Sequence, residues 1–374
     1  MPIYLDNAAS TRVSDDVLAL MTEVMRTAWG NPSAQHPQGA AARAYIEAAR
    51  ERMLAALGDR GIGDVIWTSG CTEANALAVL GAARVRPGRI VISSIEHPAV
   101  SAAAHAIEGR EVVTIAPDAT AVIDPEAVAE AAVGAAIVAI TMVQNEIGVV
   151  EPIAAIAEAV RARSPECHIH VDAAQAFGKV TLDVSTLGVD SVALAGHKLH
   201  GPKGTGALWL RRGRTLAPLW IGGGQQHGMR GGTQDAPGAA GFGLAAERAI
   251  AALATARTRW LEFGQAAIAR LGERGVKLRQ LVPDHRRSPH ILALGFPGVP
   301  ASALRTVLAS RGVYLSTGSA CAERDSKPSA VLEAIGLASN AGMGRLSFGL
   351  DTQASEVAAA TELVADVALE LVKS

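Results

Sequence analysis

The sequence predicts an α/β protein, a large and mainly parallel sheet domain covered by helices, with a smaller α/β domain attached. Three observations carry this prediction. Seven short apolar runs recur along the first part of the chain, Ala-rich helical stretches separate most of them, and from about residue 240 one long helix leads into a mixture of strands and helices. Runs that are apolar throughout suit strands buried on both faces, and strands alternating with helices form parallel sheets. With 374 residues the chain exceeds one small core. We expect a large domain at 16–255 and a small one built from 1–15 and 256–374.

Strands are expected at 64–70, 89–94, 111–116, 136–143, 168–172, 190–195 and 206–211, each short and dominated by Val, Ile, Leu or Trp. Helices are expected at 72–84, 98–107, 125–133 and 152–163, and the long one reads "GLAAERAIAALATARTRWLEFGQAAIARL". Pro328 is expected as the first residue of a helix over "PSAVLEAIG".

Composition narrows the function. Hydrophobic residues make up 49% and charged ones 19%, which excludes disorder, and a net charge of −2 without a basic run gives no nucleic-acid surface. No basic segment followed by an apolar one opens the chain, and no apolar run of spanning length is free of charge, so neither a signal peptide nor a membrane segment is expected. Cys71, Cys167 and Cys321 form neither a disulfide framework nor a metal-ligand pattern, which suits the cytoplasm and calls for no metal.

In such sheets ligands bind at the carboxyl ends of strands. "WTSGCTEANALAVL" passes through Ser69-Gly70-Cys71-Thr72 into a helix, whose free N–H groups and dipole suit a phosphate, although small residues there also serve as plain caps. Asp172 ends "HIHVD", Asn145 and Glu146 follow "AITMVQ", Lys198 follows "DSVALAGH", and His97 follows "SSIE". Each alone is an ordinary turn residue. Together they set a carboxylate, an amide, an amine and a phosphate cradle along one edge. A phosphate-bearing cofactor that needs a lysine for its aldehyde and an acid for its ring nitrogen is pyridoxal phosphate. The interval from Asp172 to Lys198 suits one strand–helix–strand step.

The motifs "YLDNAAST", "GNPSAQH", "TSGCTEANALA", "EHPAV", "QNEIGVVEPI", "HVDAAQAFGK", "AGHKLHGPKGTGALW", "GGGQQHGMRGGT", "STGSAC" and "GRLSFG" occur in this order over nearly the whole chain. In them the sequence resembles a cysteine desulfurase of the aminotransferase class V group, fold-type I pyridoxal-phosphate enzymes. The resemblance implies that Lys198 bonds the cofactor. It implies that the Cys71 backbone, Thr72, His197 and Thr233 of a partner subunit hold the phosphate. His97 would stack on the ring, Asp172 face its nitrogen and Gln175 reach its phenolic oxygen. Asn145 and Arg345 would grip the carboxylate of L-cysteine, with Asn31 a further pocket residue. Two departures are visible: Ala195 replaces a serine that usually donates to the phosphate, and Gln144 and "RGGT" differ from the common pattern without removing a reactive group.

Cys321 lies in the polar stretch 316–327, where exposure suits a nucleophilic thiolate, whereas the side chains of Cys71 and Cys167 are expected to be small buried hydrophobes. The resemblance implies that Cys321 takes the substrate's sulfur as a persulfide, releases alanine, and hands the sulfur to an acceptor protein, a scaffold for iron–sulfur clusters or a tRNA- or DNA-thiolation enzyme. A homodimer is implied by Thr233. Selenocysteine lyase, another class V activity, or a non-catalytic sulfur-transfer scaffold are the alternatives.

Overall fold

The computed structural model describes residues 2–318, 329–337 and 342–373. Its centre is a seven-stranded sheet made of β2 (Gly63–Thr68), β3 (Arg89–Ser93), β4 (Val112–Ile115), β5 (Ala135–Thr141), β6 (His168–Asp172), β7 (Ser191–Ala195) and β8 (Gly206–Arg211). The order is β2-β8-β7-β6-β5-β3-β4, and only β8 runs antiparallel to its neighbours. All seven expected runs are strands of this sheet. Its two faces bury different sets. Ile66, Ile90, Ile92, Ile137, Ala139, Ala193 and Leu208 pack against α3 (Cys71–Val85) and α4 (Pro98–His105). Val91, Val138, Ile140, Ile169, Val171, Leu194 and Trp209 belong to the core on the other face. That core also takes in α1 (Asp15–Thr27), α2 (Pro37–Ala56), α5 (Pro125–Ala131) and α6 (Ile153–Arg163). Neighbouring residues of one strand therefore enter different cores, as the two-residue period requires.

One expected element is missing. Between β6 and β7 there is no helix: residues 174–179 form turns, with Ala176 N donating to Ala173 O and Lys179 N to Ala176 O. Gly178 stands at φ +68°, where a helix cannot continue. The step from Asp172 to Lys198 is nonetheless one between adjacent strands, since Asp172 pairs with Ala193.

The long helix α7 (Ala236–Glu273) starts earlier than expected, because Asp235 caps it by accepting from Gly238 N at 3.0 Å. By length and composition it could cross a membrane, but half of that stretch is buried in the protein. Its first half joins the sheet core, and Ala256, Trp260, Phe263, Ala267 and Leu271 join another with Leu5, Leu292, Phe296, Leu346 and Phe348. This third core backs a three-stranded antiparallel sheet of β9 (Arg279–Gln280), β10 (Ile291–Phe296) and β12 (Gly342–Ser347). It also holds helix α8 (Ala301–Ser310) and the parallel pair β1 (Ile3–Tyr4) and β11 (Val313–Tyr314). A helix spans Ala330–Ala334 behind an extended Ser329; Pro328, expected as a first helical residue, lies outside the described residues.

Candidate active site

The carboxyl ends of β2, β3, β5, β6 and β7 surround a cavity of about 670 Å³. Cys71, Thr72, His97, Asn145, Asp172, Gln175, His197, Lys198 and Arg345 all line it.

At its floor, β2 ends at Thr68 and the chain turns through Gly70 into α3. The first N–H groups of α3 have no intrahelical acceptor, and its first residues, Cys71, Thr72 and Glu73, line the cavity. Gly206 lets β8 pass close: a Cβ there would lie 2.4 Å from the Gly70 carbonyl carbon. A Cβ at Gly70 itself would meet nothing within 4 Å, so the space above the turn is open. An open cradle of N–H donors beside Thr72, His197, Ser10 and Thr205 is what a phosphate needs. Ala195 lines the cavity too and contributes no donor. The turn is braced from outside by Glu73, which accepts from Ser69 N at 2.7 Å and from Arg230 Nε at 2.9 Å. Arg230 thus anchors the glycine-rich loop 222–232 to α3, and Gln226 ties it to β2 through both main-chain groups of Trp67, at 2.6 and 2.8 Å.

On the walls, Asp172 is buried and accepts from Asn75 Nδ2 at 2.7 Å and Ala174 N at 2.9 Å. His97 caps α4 by accepting from Ala99 N at 3.1 Å through Nδ1, so in the neutral ring the proton sits on Nε2. Gln175 donates to Ala8 O at 2.7 Å and faces His290 Nε2 with its oxygen at 3.3 Å. Lys198 Nζ donates to the carbonyls of Ala8 and Ala9. Burial, and after it the Arg345 guanidinium, lowers its pKa to about 8. Burial and then Lys198 lower His197 to about 4, so its ring is neutral.

Arg345, on β12, closes the cavity. Its Nη1 donates to Asn145 O at 2.7 Å and its Nη2 to Asp6 Oδ1 at 2.6 Å, while Nε is buried without a partner among the described residues. Asn145 therefore orients Arg345 through its carbonyl. Ser316, paired with Arg345, and Gly318 form the rim next to residue 319.

Two of the predicted site residues that the structure describes stand elsewhere. Asn31 is exposed in a turn, its side chain accepting from Ser33 N at 2.9 Å, and does not line the cavity. Thr233 is exposed and likewise absent from its own chain's cavity wall. Cys321 lies outside the described residues. Cys71 departs from expectation, because its thiol is half-buried and faces the site, 3.6 Å from Asp172 Oδ1. Its pKa is pushed well up by burial and then by Asp172. Cys167 is buried as expected and raised by burial to about 11. Asp6, Asn75, Ser10 and Thr205 had not been singled out. Asn75 follows Cys71 by one helical turn, a spacing that puts both on the face of α3 turned to Asp172.

The aminotransferase class-V family model matches residues 3–359. The chain belongs to this family. Members of the class-V family depend on pyridoxal phosphate. A cysteine desulfurase of Sinorhizobium fredii is 35% identical over 93% of the chain and 91% of its own length. The cysteine desulfurase IscS of Dictyoglomus turgidum is 33% identical over 93% and 89%. Among solved structures, a NifS-like protein superposes with a TM-score of 0.90 at 30% identity, covering 98% of this chain and 99% of that one. SspA in complex with cysteine gives 0.79 at 31%, covering 92% and 98%. The fold-type I architecture expected of the class-V family is the one these neighbours share.

Proposed function

We propose that this class-V protein is a pyridoxal-phosphate-dependent cysteine desulfurase that converts L-cysteine to L-alanine and carries the sulfur as a persulfide on Cys321. The observation that carries this is the convergence of Lys198, Asp172, His97 and Arg345 on one cavity at the carboxyl edge of the sheet.

The donor set fits the cofactor. The α3 N-terminus, Thr72 and His197 would hold its phosphate, joined by Thr233 of a partner subunit. His97 would cover the ring, Asp172 would pair with its nitrogen and Gln175 with its phenolic oxygen. When bound, the cofactor supplies an electron sink that acidifies the substrate's Cα–H bond. Lys198, with its amine at about 8, is suited to accept that proton at Nζ near neutral pH. Arg345 offers a guanidinium pre-oriented by Asp6 and Asn145 for the substrate carboxylate. Both described cysteines have raised pKa values and are poor thiolates, which leaves the sulfur-accepting role to Cys321, three residues along the chain from Gly318 at the cavity rim.

The division into domains 16–255 and 1–15 with 256–374 is supported by α7, whose buried residues up to Ala249 join the sheet core while those from Ala256 on join the core around β10 and β12. A homodimer is supported by the exposed Trp220 and Ile221 beside the glycine-rich loop that carries Thr233 to the surface. The cytoplasm suits the unpaired Cys71 and Cys167. A sulfur-acceptor protein completes the cycle. The test is incubation of the purified protein with L-cysteine: alanine and protein-bound sulfur in equal amounts support the reading, and alanine without labile sulfur overturns it.

A further inference from the structure

Behind Asp172 a file of polar side chains runs through an otherwise apolar core. His168, His170 and Asp172 share one face of β6, turned toward α3, while Ile169 and Val171 enter the other core. Asn75 from α3 and Ser191 from β7 fill the gaps. Asn75 Nδ2 lies 2.7 Å from Asp172 Oδ2, and its Oδ1 lies 2.9 Å from His170 Nε2. His170 Nδ1 lies 2.8 Å from Ser191 Oγ, which lies 2.8 Å from His168 Nε2. Asn75, His170, Ser191 and His168 are all fully shielded from solvent. Four such groups in a core of Ile, Leu and Ala are costly unless each is paired, so their presence needs a reason.

The hydrogens in this file can be placed by chemistry alone. An ionised Asp172 only accepts, so Asn75 turns its amide nitrogen to it and its oxygen to His170. His170 Nε2 must then carry hydrogen. Burial lowers this imidazole to about 4, so its Nδ1 is a bare lone pair that takes the Ser191 hydroxyl hydrogen. Ser191 Oγ in turn accepts from His168 Nε2–H, which leaves His168 Nδ1 bare. Among the described residues that atom is indeed buried without a partner. Every hydrogen bond in the file donates toward Asp172.

We infer that Asn75, His170 and Ser191 are positioning residues that hold the Asp172 carboxylate aimed at the cofactor's ring nitrogen, through a one-way chain of donors ending in His168. This rests on the reading that Asp172 faces that nitrogen. A polarised donor chain fixes the carboxylate's orientation and strengthens its hydrogen bond to a ring N–H.

The test compares binding to the apoprotein of pyridoxamine 5'-phosphate and of its 1-deaza analogue, which carries CH in place of the ring nitrogen. Neither has an aldehyde, so Lys198 chemistry does not enter. The ratio of the two dissociation constants measures the contact with the ring nitrogen alone. We expect His170→Phe to shrink the ratio about tenfold or more, the size of one charge-assisted hydrogen bond, while deaza affinity stays unchanged. His170→Gln, which can still donate to Asn75, restores most of the ratio. If His170→Phe does not fold, Ser191→Ala serves, with a shift in the same direction. Equal weakening of both ligands, or no change in either, overturns the relay. Asp172→Ala separates the two claims. A ratio that collapses there but survives in the His170 variants refutes only the relay, and one that survives in Asp172→Ala refutes the role of Asp172 itself.

Discussion

Lys198 Nζ rests between the carbonyls of Ala8 and Ala9 with its pKa at about 8, and only its neutral form attacks an aldehyde. Uptake of pyridoxal phosphate by the apoprotein should therefore quicken about tenfold per pH unit below 8 and level off above it, a profile that stopped-flow absorbance reads directly. Lys198→Ala should abolish both alanine formation and borohydride trapping of the cofactor, and turnover near the wild-type rate would refute its role. Ala195→Ser should tighten cofactor binding by about 0.5–1.5 kcal/mol if the hydroxyl reaches the phosphate, as measured by equilibrium dialysis. Lys179 gives a stability test. Burial, and after it Lys198, lowers its pKa from 10.5 to about 7, so between those values the folded protein binds fewer protons than the unfolded chain. Stability from this group rises with pH across that window, and its penalty is complete below about 7. Lys179→Met should raise the Tm at pH 7 and flatten its rise toward alkaline pH. At this scale the ordered motifs made most of the cavity wall legible, down to Arg345, because polar side chains at strand ends stand out against apolar runs. Asn31 and Cys71 were not legible, since a motif says nothing of which way a turn faces. A small residue in a helix's first turn can as easily look into a cavity as into a core.

Among the elements, the phosphate turn depends on two neighbours that do not line the cavity. Gly206 permits the approach of β8 to Gly70, and Gly206→Ala should cost about 1–3 kcal/mol and empty the cofactor site, seen as lost visible absorbance together with a lowered Tm. Arg230→Ala should leave Glu73 without its cation, cost about 1–3 kcal/mol, and expose the glycine-rich loop to limited proteolysis. The seven strands were legible because burial on both faces leaves an unbroken apolar run. The two-residue strands β1, β9 and β11 were not, since pairs such as Ile3–Tyr4 are too short to show a period. The missing helix between β6 and β7 has the same lesson from the other side. "AAQAFG" has helical composition, and one glycine at positive φ breaks it into turns.

For the whole molecule, the sequence showed two textures but not how the ends of the chain meet. The N-terminal residues are built into the third core: Asp6 binds Arg345, Asn7 donates to Ser347 O, and Ala8 N to Ser347 Oγ. No local pattern announces pairings over such separations. If the active sites are shared between subunits through Thr233, refolding Lys198→Ala and Thr233→Ala chains together should give, at limiting cofactor, more activity than the two chains give separately, because mixed dimers hold one intact site. No gain over the separate chains would refute the shared site. The closure of the ends also bears on biosynthesis. Asp6 and Arg345 are 339 positions apart, and Lys198 and Gln175 both lean on the carbonyl of Ala8. On the ribosome those first residues wait for their last partners on the order of tens of seconds. The pocket is thus completed only when translation is nearly over, and a nascent chain stalled before β12 emerges should fail to capture its cofactor.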